Sequence, residues 1–135
     1  MRIDRSIFRY IEYELYCYTH TKKEIRLCRD EIINGTHKPD VGGKAGISDP
    51  TANKSIALTS SVFLAKAERT INAIDKSLDM LRPEHNQLFD LRYIDGRPWR
   101  EVYLEMNISD RTYFRLRREL VETVGLQLGL LRIDD

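Results

Sequence analysis

The stretch Trp99-Arg-Glu-Val-Tyr-Leu-Glu-Met-Asn-Ile-Ser-Asp-Arg-Thr-Tyr-Phe-Arg-Leu-Arg-Arg118 decides the fold, because it reads as two short amphipathic helices joined by a tight turn. Trp99, Val102, Tyr103 and Met106 fall on one face of the first helix, and Tyr113, Leu116, Leu120 and Val124 on one face of the second. Pro98, following Gly96, suits the first helical turn, where a missing N–H costs nothing. Asn107 tolerates left-handed backbone, Ile108 can plug the angle between the helices, and Ser109 is a good N-cap. The pair therefore has a start, a stop and a shared core of Trp99, Val102, Met106, Ile108, Tyr113, Leu116 and Leu120.

At about 100° per residue, pointing Tyr113, Leu116 and Leu120 inward turns Arg111, Arg115 and Arg118 outward, with Thr112 and Phe114 beside them. Arginines so placed can contact phosphates or fork onto guanine, and Phe114 can touch a thymine methyl or pack internally. The expected DNA-binding set is Ser109, Asp110, Arg111, Thr112, Phe114, Arg115 and Arg118. The competing reading is an ordinary solvated face, in which Arg115 pairs with Glu119 and Arg118 with Glu122, each four residues on.

From Leu81 to Leu120 the chain resembles sigma-factor region 4-type helix-turn-helix domains. As a whole it resembles the RinA-type phage transcriptional regulators, small proteins with a long helical N-terminal half and this module at the C-terminus. Met106 to Arg118 carries most of the resemblance, and Ile108-Ser-Asp-Arg-Thr112 is its most specific part. Tyr103 departs from the pattern, since most helix-turn-helix modules have a small residue there. The resemblance implies a phage or prophage activator of late genes, such as those for packaging and morphogenesis, in the cytoplasm of the bacterial host.

The 135 residues allow one or two small units, and the formal net charge of +1 gives no global attraction to nucleic acid. Locally the balance is better. Residues 109–120 hold four arginines (111, 115, 117 and 118) against Asp110 and Glu119, a net of +2. Cys17 and Cys28 would lie roughly 16 Å apart along a helix, beyond disulfide reach, so two reduced thiols are expected. His20, His37 and His85 are scattered without zinc-site spacing, and His20 with Glu24 supplies only two ligands, so neither a metal nor another cofactor is expected. No run of about 18 apolar residues and no signal peptide is present, so no membrane partner is expected.

From Arg5 to Asn34, the residues Ile7, Ile11, Leu15, Tyr18, Ile25, Cys28 and Ile32 recur at helical spacing and predict one long helix capped by Asp4. Tyr10, Tyr13, Tyr16 and Tyr18 cannot share one face, and are either a second buried face or half-exposed. A second long helix is predicted from Asp49-Pro50-Thr51, with the stripe Ala52, Ile56, Thr59, Phe63, Ala67, Ile71, Ile74, Leu78 and Leu81, until Pro83 breaks it. Two helices of about 30 residues, roughly 45 Å each, favour an antiparallel hairpin. Its loop, Gly35 to Ser48, includes Gly42-Gly43-Lys44-Ala45-Gly46, which lacks the spacing of a phosphate-binding loop. A third helix, Pro83 to Ile94, would lead into the opening pair. Gly125 and Gly129 weaken the last helix unless it is packed, and Leu126, Leu128, Leu130 and Leu131 are candidates for a docking surface on the hairpin or on a second subunit.

The expected fold is thus all-α: a helical hairpin over 1–82 for oligomerisation or partner binding, then a three-helix DNA-binding domain over 83–135. The leading function is a sequence-specific transcriptional regulator that binds double-stranded DNA, with a second copy of itself and RNA polymerase as further candidate partners. The alternatives are a small-terminase-like packaging protein, in which the DNA-binding unit usually comes first, and a helical adaptor that binds protein alone. No nucleophile with a neighbouring base and no carboxylate pair beyond ordinary helix surfaces is found, so an enzyme is not expected.

Overall fold

The computed structural model describes residues 3–34 and 50–132, with side chains over 3–31 and 61–132. Among these residues every regular element is a helix, and the fold is all-α. The expected loop from Gly35 to Ser48, its Gly42–Gly46 segment, the Asp49 cap and the side chains of Ile32, Ala52, Ile56 and Thr59 lie outside the described residues. No helix among the described residues is long and apolar enough to cross a membrane.

The chain divides into two compact units: Met1–Thr19 with Thr70–Asp135, and His20–Arg69. This division does not follow the boundary expected at 82/83, because the first helix is built into the C-terminal half. The predicted single helix from Arg5 to Asn34 is in fact two, α1 (Arg5–Tyr16) and α2 (Tyr18–Asn34). Asp4 caps α1 as expected, its Oδ1 accepting from Ser6 N at 2.8 Å. The α1 helix stops at Cys17, whose backbone sits at φ −87°, ψ 0°. Just beyond it, Tyr18 sets its ring edge-on to Phe89 at 5.2 Å and donates its hydroxyl to Asp75 at 2.5 Å. A periodic pattern cannot register such a break, because the apolar spacing continues through it.

Of its predicted stripe, the α3 helix (Pro50–Met80) buries Ala67, Ile71 and Ile74, and it buries Thr70, Ala73 and Ser77 beside them. Phe63, expected inside, is half-exposed at 50%. The buried face uses small residues, and Ser77 satisfies its hydroxyl by donating to Ala73 O at 2.7 Å. Pro83 opens α4 (Pro83–Phe89), and Asn86 Nδ2 reaches back to Leu78 O at 3.0 Å, covering a carbonyl that the end of α3 leaves open. The α4 helix then widens into a π-helical stretch over Asp90–Ile94, and Gly96 at φ +68° ends it.

The α5 helix (Trp99–Glu105) starts one residue after the position expected of Pro98, which stands at the N-cap and accepts from Glu101 N and Val102 N. The α6 helix (Asp110–Leu128) ends in a Schellman motif: Gly129 lies at φ +77°, Leu130 N bonds Gly125 O, and Gly129 N bonds Leu126 O.

The core of this unit joins Ile11 and Leu15 of α1, Ile74 of α3, Leu88, Phe89 and Tyr93, Val102 of α5, and Tyr113, Leu116, Leu120, Val121 and Val124 of α6. Gly125 is where α1 and the tail close on α6. A Cβ there would come within 2.6 Å of Leu131 Cδ1 and 3.0 Å of Ile11 Cδ1. The leucine-rich tail is therefore not a free apolar surface. Leu126, Leu128 and Leu131 are half-buried, and of that set Leu130 alone is exposed.

In the other unit, Arg29 of α2 forms an ion pair with Glu68 of α3. His20 and Glu24 stand 3.9 Å apart as an exposed i, i+4 pair, and no group of three metal-ligating side chains occurs among the described residues. Leu27, Val62 and Phe63 are exposed apolar residues here.

Candidate nucleic-acid interface

The turn between α5 and α6 has the conformation that its residue types predict. Asn107 takes φ +59°, Ile108 N bonds Tyr103 O at 3.1 Å, and Ser109 Oγ accepts from Thr112 N at 3.1 Å. Ser109 also donates to Thr112 Oγ1 at 3.0 Å, so the two side chains bond each other at the start of α6. Val102, Tyr113, Leu116 and Leu120 are buried, while Trp99, Met106 and Ile108 are half-buried around them.

The bulky Tyr103 is accommodated by aromatic packing. Its ring lies 5.6 Å from Trp99 and 6.5 Å from Tyr113. Trp99 in turn packs on Phe114 at 5.1 Å, leaving Phe114 42% exposed. The packing expected of Phe114 is present on one side of its ring, and the rest faces solvent. Arg100 spreads over the Trp99 ring at 5.1 Å, extending this aromatic surface with a cation.

Arg111, Arg115 and Arg118 are exposed with Asp110 and fall within an arc of about 60° on α6. None of the three pairs with a carboxylate among the described residues. The local pairs that would have made them an ordinary solvated face are not formed. Glu119 instead receives a contact from the buried His85, Nε2 to Oε1 at 2.9 Å.

The fourth arginine, which the count of local charge groups with the other three, behaves differently. Arg117 lies roughly 120° around α6 from Arg111 and turns to α1. There Nε and an Nη bond the two oxygens of Glu12, both at 2.8 Å, and its guanidinium lies 4.8 Å from the Phe8 ring centroid. Tyr93 donates to the same carboxylate at 2.7 Å, and the Tyr16 ring stands edge-on to Tyr93 at 4.8 Å. Its position beside the buried stripe is the signal that could have separated Arg117 from its neighbours.

Burial raises the Glu12 carboxyl's pKa, but the hydrogen bonds from Arg117 and Tyr93 and the charges of Arg117 and Arg92 outweigh it and hold the group below its ordinary 4.5. Burial and the facing carboxylate push the Tyr93 hydroxyl strongly up, so it remains the donor. A depressed carboxylate stabilises the fold above its unfolded value and loses that contribution as pH falls through the folded one. Glu12→Gln is expected to lower stability at neutral pH and to flatten its decline below pH 4.5, measured by denaturant titration across pH.

With this geometry in view, residues 2–125 match the family described as "Protein of unknown function (DUF722)". The chain belongs to the DUF722 family. This DUF722 chain is also similar to the protein called "Transcriptional activator rinA" of Staphylococcus phage phi11, at 24% identity over 129 residues, 92% of this chain and 91% of that relative. The two findings together support the RinA-type family resemblance. No solved structure matches the DUF722 chain.

Proposed function

We propose that this protein is a sequence-specific DNA-binding transcriptional regulator in which α5 and α6 act as a helix-turn-helix of the sigma region 4 kind. The observation that carries the reading is the stripe of Arg111, Arg115 and Arg118, left without carboxylate partners among the described residues on the open face of a helix whose other face is locked into the core. Ser109, Asp110, Thr112 and Phe114 complete the surface that would enter the major groove. The activator sense follows from the name of the phi11 relative, and phage late genes as targets follow from the RinA-type resemblance.

Residues 83–135 carry the DNA-reading surface in this proposal, with α1 as its brace. The α2–α3 pair serves self-association or contact with RNA polymerase in the host cytoplasm. Three exposed arginines on a nearly neutral protein make dimeric binding the economical arrangement, with half-sites about one helical turn apart.

Selection of bound duplexes from random DNA at a stated salt concentration tests the reading. A recovered site with paired half-sites, and affinity falling steeply with salt, is the expected result. A protein that enriches no sequence and shows no salt dependence is an adaptor and overturns it.

A further inference from the structure

His85 lies on α4, 2% exposed, and is not among the residues of the proposed DNA surface. Its Nε2 contacts Glu119 Oε1 at 2.9 Å, while its Nδ1 is buried without a hydrogen-bond partner. A bare acceptor nitrogen is cheaper to bury unpaired than an N–H, so the arrangement selects the tautomer in which Nε2–H donates to the carboxylate. Glu119 in turn is four residues beyond Arg115 on α6, the spacing at which a carboxylate normally captures a guanidinium. In this structure that capture does not occur.

We propose that His85 is a positioning residue for the DNA-facing surface: by holding Glu119 against α4 it keeps the carboxylate off Arg115 and leaves that guanidinium open. The inference rests on the DNA-binding reading for its purpose, but the side-chain exchange it describes can be observed without DNA. Leucine at 85 would fill much of the same buried volume and remove the donor, releasing Glu119 to its i+4 neighbour. The competing pair would then have to be broken each time DNA binds.

The test is an Nε–Hε NMR spectrum of Arg115 in the full-length protein, with binding to a selected duplex measured alongside. In the otherwise native protein, Glu119→Gln should leave the Arg115 resonance in place, because Glu119 is already diverted. His85→Leu should move it toward an ion-paired position and weaken DNA binding about two- to threefold, the scale of an exposed i, i+4 pair. His85→Leu with Glu119→Gln should restore both, a rescue that loss of core packing alone would not give. An Arg115 resonance that moves on Glu119→Gln alone overturns the proposal, as does a His85→Leu effect that the double variant leaves unrepaired. If His85→Leu does not fold, the Glu119→Gln spectrum still decides. Absence of DNA binding by the wild-type protein would instead sink the regulator reading while leaving the NMR result standing.

Discussion

Leu15→Ala will destabilise the unit that contains α5 and α6 by about 2–5 kcal/mol, although residue 15 belongs to the opposite end of the sequence. Leu15 is fully buried in one core with Leu116, Leu120 and Val124. Its truncation removes packed apolar surface and leaves a cavity that a helical core fills only in part. Trp99 is the chain's one tryptophan, half-buried among Tyr103, Tyr113 and Phe114, so its fluorescence reports the α5–α6 pair directly. Denaturant titration followed at Trp99 should show the midpoint shift with an unchanged slope. If the Trp99 transition ignores Leu15→Ala, α1 is an accessory and not part of this core.

The second large effect is a sorting of four arginines that stand close together in sequence. Arg111→Ala, Arg115→Ala and Arg118→Ala are expected to leave the melting temperature nearly unchanged and to weaken DNA binding, by about 1–3 kcal/mol for each one that contacts a base. Arg117→Ala should do the reverse at first order. It strands Glu12, whose side chain is 14% exposed, beside Tyr93 and removes a two-pronged ion pair. Breaking a fully buried pair costs about 3–5 kcal/mol, and the 30% exposure of the Arg117 side chain argues for a loss nearer 2 kcal/mol. Paired measurements of melting temperature and DNA affinity on the four variants check the division. A loss of DNA affinity confined to Arg117→Ala would contradict the proposed surface.

Much of the α5–α6 pair was legible because its determinants are local. Asn107 in left-handed backbone, the Ser109 cap and the apolar stripe of α6 each depend on residues within a turn of one another. The expected exposure of Arg111, Arg115 and Arg118 follows from helical spacing alone. The long first helix failed for the complementary reason. Periodicity reports a face, and the face continues across Cys17 even though the helix does not. The tail leucines were legible only in part, because spacing marks them as apolar groups in need of a partner but does not show that Leu131 folds back on Gly125, where Ile11 of α1 also closes.

The sequence by itself therefore determined the all-helical class, the caps and turn around α5 and α6, and the outward face of Arg111, Arg115 and Arg118. Only the tertiary structure decided that α1 belongs to the C-terminal unit, that Glu12 claims Arg117, and that His85 claims Glu119. Each of these pairings joins residues far apart in the chain, so their charges and hydrogen-bonding groups meet only after the apolar faces have packed.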